Sequence, residues 1–362
     1  MRVVVLGGAG NFGARITRAL RDDPNIELLV AGRRRVPISG AEEVASVTLD
    51  IKSSGFASQL RSLSPGLVIH CVGPFQGQDY AVAQTTLAAG AHYLDLADGR
   101  QFVADFAACV HGAALRADRV AICGASTLPA LSSAVVDELK QDLTGIDSID
   151  VVIAPGQRAP RGRATLAGVF SYLGRPIPVW REGRWTRSWG WMDLRRVRLD
   201  CGDRFAAACD VPDLELFPAR YPGVRTVRFH AALEFAIQHL ALWKLAAVRR
   251  IGLPLPVDRW ALQLSDLAHR FDARAGELGG MSVRVVGDRN GQRLRRTWHL
   301  TVPAMDGPEI PCIPAILLAR RMASRDPFKA GAFACTGFLT LPEFAPAFAE
   351  WKITTRTAEE AA

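Results

Sequence analysis

The chain has 362 residues, 49% of them apolar and 22% charged, enough for about two domains with real cores, so disordered and collagen-like chains are excluded. Its 44 Lys and Arg against 36 Asp and Glu leave a net charge of +8, but the bases are spread along the whole length, which argues against a nucleic-acid partner. The seven cysteines (71, 109, 123, 201, 209, 312 and 335) include no Cys-x-x-Cys pair and suit free thiols in a reducing compartment, so a cytoplasmic protein is expected.

Residues 1–125 alternate short β-branched runs with helical patterns, the sequence form of a parallel sheet wound by crossover helices. Val3–Leu6, Ile26–Ala31, Val44–Leu49, Leu67–Val72, His92–Leu96 and Val120–Cys123 read as six strands. The first is too short, and too soon followed by glycine, to be a secretory signal core. Between the strands, Phe12, Ile16 and Leu20 recur every four residues, as do Phe102, Phe106 and Val110, each set marking one buried helix face. Tyr80, Ala83 and Leu87 mark another, with Gly90 at its C-cap. A second domain is expected over 126–353. It opens on a helix at Leu131–Leu139 and a strand at Ile146–Ile153, then has an Arg/Pro/Gly-rich loop to Arg163, a helix at Ala164–Leu173 and an irregular Trp-rich region to about Val211.

The apolar run Ala231–Val248 is interrupted by Glu234, Gln238, His239 and Lys244, whereas a membrane span needs about 20 nearly uncharged residues. It reads as a helix enclosed in a core or in a homodimer interface, with contact to a membrane surface as the alternative. Ser282–Val286 and Leu294–Val302 flank Asp288-Arg289-Asn290-Gly291, a hairpin signal because Asn-Gly tolerates positive φ. A helix at Pro314–Met322 is expected to pack back on the first domain, and 354–362 reads as a frayed polar tail. The fold class is therefore α/β: a Rossmann doubly wound parallel sheet with a second α+β domain containing antiparallel strands.

Chemistry concentrates in the first domain. Gly8-Ala9-Gly10-Asn11-Phe12-Gly13 is a Gly-x-Gly-x-x-Gly motif that directly follows a Val-rich strand and opens an amphipathic helix. In that context the glycines bring backbone against a pyrophosphate, which the helix N-terminus holds through its amides and dipole. An acidic residue at the end of the second strand would bind a ribose 2′-hydroxyl and a basic one a 2′-phosphate. Arg33 and Arg34 stand there, so NADP(H) is preferred over NAD(H), the alternative being that these arginines solvate a loop. Asp50 is placed either to approach the adenine or to cap the next turn. The loop Cys71-Val72-Gly73-Pro74 should face the nicotinamide, with the substrate expected beside Phe75, Gln78 and Asp98, while His70 and Cys71 are assigned no catalysis. Tyr93 and Asp98 lie at or beyond the end of the fifth strand, beside the expected cleft, and are read as substrate residues. Asp98 suits a substrate ammonium, a proton relay or a helix cap, and Asp95 is favoured as structural.

These residues resemble a known family. Cys71-Val72-Gly73-Pro74-Phe75, Ala88-Ala89-Gly90-Ala91-His92-Tyr93-Leu94-Asp95-Leu96, Asp98-Gly99 and the opening glycine motif are similar to the NADP-binding domain of the saccharopine dehydrogenase (saccharopine reductase-like) family. Gly307-Pro308-Glu309-Ile310-Pro311 resembles the C-terminal part of its bacterial members. The resemblance implies a Rossmann domain, a second substrate domain with a small-molecule substrate lying between the two, and hydride transfer at a carbon–nitrogen bond of an amino-acid-like substrate. Lipid-directed enoyl reductases share the fold, and a non-catalytic NADP-binding regulator is the other alternative. Elsewhere, His299 reads as half-exposed surface, and Arg158, Arg161, Arg163, Arg181, Arg184 and Arg187 as solvated loops. Trp180, Trp185, Trp189 and Trp191 are expected to pack the domain, and no spacing suggests a metal site.

Overall fold

A computed structural model describes the chain except for residues 161, 254, 256–259, 261, 262, 264, 265, 325 and 326 and the side chain of Arg163. The chain divides into two compact units, Met1–Ala130 with Pro308–Phe338, and Leu131–Gly307 with Leu339–Ala362.

In the first unit, β1 (Arg2–Leu6), β2 (Glu27–Gly32), β3 (Ala45–Thr48), β4 (Leu67–His70), β5 (His92–Asp95) and β6 (Val120–Cys123) form a parallel sheet in the order 6-5-4-1-2-3. This is the doubly wound order, with the switch point beside β1. Helices cover both faces, which is why β1 is a continuous Val run, with Val3, Val4 and Val5 fully buried, rather than an alternating pattern. The helices follow the periodicity: α1 (Gly13–Leu20) buries Ile16 and Leu20, α3 (Ala81–Ala88) buries Ala83 and Leu87, and α4 (Arg100–Ala117) buries Phe102, Phe106 and Val110. Between β3 and β4, α2 (Phe56–Ser62) was not legible; its seven residues carry only Phe56 and Leu60 to the core, too few to register as a period.

A seventh strand, β15 (Gly331–Ala334), pairs parallel with β6 from Gly331↔Val120 to Ala334↔Cys123. Four residues of which three are glycine or alanine give no strand signal. What fixes the strand is contact with α4: the Ala332 amide donates to His111 Nδ1 at 3.1 Å, and a Cβ on Gly331 would meet His111 Cε1 at 2.7 Å. The helix Ile313–Ala323 also belongs to this unit, so residues 126–353 do not form one continuous body.

The second unit holds α5 (Ser132–Leu139), β7 (Gly145–Ala154), α6 (Arg163–Tyr172), β8 (Pro176–Arg181), β9 (Arg184–Trp189), β10 (Arg195–Val197), β11 (Arg204–Ala208), α7 (Asp213–Arg220), β12 (Thr226–Ala232), α8 (Ala236–Arg250), β13 (Leu278–Arg289), β14 (Gln292–Pro303) and β16 (Thr354–Ala361). Its sheet runs β10-β11-β12-β7-β13-β14-β16, with β12 and β7 parallel and the other neighbours antiparallel. Alternate residues Ile149, Val151, Val283, Val285, Trp298 and Leu300 fill its buried face. The β13–β14 turn is Asn290-Gly291, both at positive φ (52° and 82°), as the hairpin motif requires.

Three expectations are corrected here. The Trp-rich stretch is not irregular: β8 and β9 form a hairpin in which Trp180 meets Trp185 edge to face at 5.2 Å, and β10 and β11 follow. Pro176, Pro178 and Arg181 in β8 and Arg184 and Arg187 in β9 dilute the apolar signal. The terminal segment is a strand rather than a tail; it pairs with β14 from Leu294↔Ala361 to Thr301↔Thr354 and is held by Arg356 to Asp200 (2.5 and 2.6 Å) and Arg296 to Glu359 (2.8 Å). An exposed edge strand fixed by its ladder and ion pairs needs no hydrophobic pattern. Finally, the Ala231–Val248 run is split between the end of β12 and α8. Among the described residues α8 is not enclosed in the core of its unit: it buries His239 and Ala246, and Ile237 is 64% exposed. No helix among the described residues is long and apolar enough to cross a membrane.

Candidate functional site

The site is built where β1 runs into α1. The backbone turns at Gly7 (φ 75°), whose amide donates to Ala31 O at 2.7 Å and whose carbonyl accepts from Gly10 N at 2.9 Å. A Cβ on Gly7 would lie 2.9 Å from Val72 Cγ2, and one on Gly8 would lie 2.6 Å from Val30 Cγ1. One on Gly13 would lie 2.7 Å from Gly8 Cα, so the start of α1 sits directly against the end of β1. Ala9 and Gly10 form the exposed tip, and Phe12, the N-cap, makes no side-chain cap. These are close packing, positive φ and an accessible backbone tip at a helix start, the three conditions an anion cradle needs. Gly7, which performs the sharp turn, was not singled out because several glycines in the run could have done so.

At the end of β2, Arg33, Arg34 and Arg35 are exposed, and among the described residues none of them forms a hydrogen bond or ion pair. Asp50 is half-buried, and its Oδ1 accepts from the Lys52 amide at 3.0 Å, so the carboxylate shapes the turn after β3.

The β4 loop extends the strand, with Cys71 N donating to Leu6 O at 2.9 Å. Gln78 folds back over it, Nε2 donating to Val72 O (2.8 Å) and Pro74 O (2.7 Å), and so fastens the loop. Phe75 is buried, its ring edge-on to His70 at 5.1 Å and tilted against Phe102 at 5.4 Å. Burial pushes the Cys71 thiol up, which makes it a poor nucleophile at neutral pH.

Tyr93, placed beside the cleft on sequence grounds, is fully buried instead: it lies in the middle of β5, with its hydroxyl 2.9 Å from His70 Nδ1. Burial pushes His70 down to about 4. Asp95 is also fully buried, its Oδ1 accepting from the amides of Gly124 (2.7 Å) and Ala97 (3.0 Å), and burial pushes its carboxyl up to about 6 against those two donors. It ties the end of β5 to the residue after β6. Asp98, three residues on, differs in kind. It is exposed at the end of β5 with Oδ1 3.3 Å from Gln76 Nε2, and desolvation by the surrounding protein raises its carboxyl above the ordinary aspartate value. Asp98 is thus the solvent-reachable acid of the set, while Tyr93 and Phe75, both expected beside the substrate, are buried in the core.

In the second unit, His299 lies 3.7 Å from Asp200, and Arg158 donates to Asp272 O at 2.9 Å. Arg181 pairs with Asp193, and Arg184 and Arg187 are exposed. Arg161 and the side chain of Arg163 fall outside the described residues. Trp191 is buried against His239, ring centroids 5.1 Å apart. One polar cluster was not foreseen: His230, 1% exposed, stands between Asp193 (3.6 Å) and Asp150 (4.0 Å), with Arg195 on Asp150 at 2.5 Å. Asp193 is held well below the usual carboxylate range by His230 and Arg181. The β7–β12 pairing brings Asp150 beside His230, and the β10–β11–β12 pairings bring in Arg195 and the segment that carries Asp193. Among the described residues no group of three or more His, Cys, Asp or Glu could hold a metal ion.

No family model and no curated protein sequence matches the chain. Solved structures do. The apo saccharopine dehydrogenase (L-Glu forming) of Saccharomyces cerevisiae superposes with a TM-score of 0.71 at 11% identity, over 99% of this chain and 100% of that one. The homospermidine synthase of Legionella pneumophila in complex with NAD gives 0.63 at 10% identity, over 100% and 91%. The C. glutamicum DAP dehydrogenase in complex with DAP gives 0.51 at 14% identity, over 96% and 98%. The fold is saccharopine dehydrogenase-like: a Rossmann-type parallel sheet with a second, mixed-sheet unit.

Proposed function

We propose that the chain is an NADP(H)-dependent oxidoreductase that moves hydride to or from a carbon–nitrogen bond of a small, amino-acid-like substrate. The observation that carries this reading is the glycine cradle. Gly7, Gly8 and Gly13 have no room for a Cβ, and an exposed backbone tip leads into α1 at the switch point of a doubly wound sheet. A dinucleotide fits these residues. Gly8, Gly10, Asn11, Phe12 and Gly13 would hold the pyrophosphate, Arg33 and Arg34 the 2′-phosphate, Asp50 the adenosine side, and Cys71, Val72, Gly73 and Pro74 the nicotinamide side. The fold shared with a dehydrogenase and with a synthase that holds NAD supports the reading.

When bound, the nicotinamide supplies the hydride donor or acceptor, and the protein contributes orientation and charge. Gln78 fixes the Val72–Pro74 backbone against which the ring would rest. Asp98, with its carboxyl raised and Gln76 donating to it, is suited to meet a substrate ammonium or to hold and return a proton. Phe75 and Tyr93 keep that end of β4 and β5 rigid from below.

The test is calorimetric titration of the folded chain with NADPH and NADH, followed by NADPH consumption with a panel of amino-acid-derived imines. Binding of NADPH in preference to NADH, with turnover of at least one imine, is expected. Absence of heat with both dinucleotides would overturn the reading, and tight binding without turnover across a wide panel would favour a regulator.

A further inference from the structure

We propose that Glu309 is a positioning residue for the dinucleotide loop, acting through Arg15 on Asn11; the proposal rests on the cofactor reading above and extends it to residues that reading does not use. The first turn of α1 contains no acidic residue, yet its third residue is Arg15. A cation there opposes the helix dipole. Instead of turning away towards the C-terminal end, the guanidinium folds back over the N-terminus. Nη1 donates to Asn11 O at 2.7 Å and to Asn11 Oδ1 at 2.8 Å, while Nε lies 2.9 Å from Glu309 Oε1. Asn11 is thereby gripped by backbone and side chain together, at the residue that follows the exposed tip Ala9-Gly10.

Both members of the ion pair are largely out of water, Arg15 at 13% and Glu309 at 10% side-chain exposure. A pair desolvated to this degree contributes little net stability, and an apolar pair of similar volume would often serve as well or better. Its use is therefore to be sought in what it holds. The segment that delivers Glu309 is seated firmly: Pro308, Ile310 and Cys312 are buried, and Cys312 Sγ lies 3.6 Å from Phe12 O, the carbonyl next to the gripped residue. Two successive loop residues, Asn11 and Phe12, are thus fixed by one short stretch from the far end of the sequence. A loop with glycine at positions 7, 8, 10 and 13 has little stiffness of its own. The geometry points to Pro308–Cys312 as the splint that holds it in a pyrophosphate-accepting shape.

The pair touches the loop and not the end of β2, so its loss should weaken NADPH and NADH equally, since both carry the pyrophosphate. Glu309→Gln alone would strand a buried guanidinium. The informative variant is therefore Arg15→Met/Glu309→Leu, which removes both charges together. We expect it to melt within a few degrees of wild type and to bind NADPH and NADH each about tenfold more weakly, a loss that a purely structural pair would not produce once its charges are removed together. If the double variant melts early, Arg15→Lys is measured in its place. Lys keeps the charge but lacks the planar fork that spans Asn11 and Glu309, and the same equal loss is expected. Wild-type affinity in the folded variant, or a loss confined to NADPH, would overturn the proposal. Wild-type chain that binds neither dinucleotide would overturn the parent reading and this one with it, whereas normal wild-type binding beside an unaffected variant overturns this one alone.

Discussion

Gly13 has no space for a methyl group, because the obstacles are backbone, Gly7 O and, at 2.7 Å, Gly8 Cα, rather than the end of a flexible side chain. Gly13→Ala must push α1 off the end of β1. An overpacking cost of about 1–3 kcal/mol is expected, seen as a lower Tm, together with more than tenfold weaker dinucleotide binding by calorimetry. Arg33 and Arg34 stand in the opposite situation, exposed and held by nothing among the described residues, so changing them should leave stability alone. Arg33→Asp with Arg34→Ser should weaken NADPH by about 30-fold, the worth of a charged hydrogen bond of about 2 kcal/mol, with NADH hardly changed. Equal losses for the two would remove these arginines from the phosphate site. Asp95 makes a prediction in pH. Its folded carboxyl is raised to about 6 from an ordinary value of about 3.9, so between these values the folded state binds the proton more tightly and stability falls as pH rises. Asp95→Asn keeps the acceptor for Gly124 and Ala97 but loses the titration. Unfolding free energies from urea titrations should therefore move in the variant's favour by up to about 3 kcal/mol relative to wild type on going from pH 4 to pH 7, and a difference independent of pH would show that Asp95 does not titrate in this way.

At the scale of elements, legibility tracked how much of an element's stability is local. β1, α1 and α4 announce themselves because a Val run buried on both faces and a four-residue period of Phe, Ile and Leu are written into consecutive residues. β15 and β16 do not, since each is a strand only by virtue of its neighbour: β15 has β6 and His111, and β16 has the open edge of β14. A chain ending at Ile353 should expose the β14 edge from Leu294 to Thr301 and release the partners Asp200, Arg289 and Arg296. An unpaired edge of that length invites pairing between copies. The shortened protein is expected to melt lower and to elute as larger species on size exclusion with light scattering; a monodisperse product with unchanged Tm would mean β16 contributes little. The β8–β9 hairpin lies between these extremes, its cross-strand Trp180–Trp185 contact hidden by the arginines and prolines around it.

On the scale of the whole molecule, the chain completes most of its first unit by Ala130, spends residues 131–307 on the second, then returns to the first over 308–338 before ending in the second. That return carries Glu309, Cys312 and β15, so the glycine loop and the edge of the parallel sheet depend on residues about 300 positions further along the chain than β1. The sequence by itself determined six strands of the parallel sheet, the helices α1, α3 and α4, the Asn290-Gly291 hairpin and the place of the glycine cradle, with the arginines beyond β2, because spacing and backbone freedom are properties of neighbouring residues. Only the tertiary structure decided that Tyr93 lies in the core while Asp98 meets solvent, that His230 stands between Asp150 and Asp193, and that Arg15 is held by Glu309. Each of these depends on which strands pair and in what register, and a contact between residues far apart in the chain leaves no periodic trace in either of them.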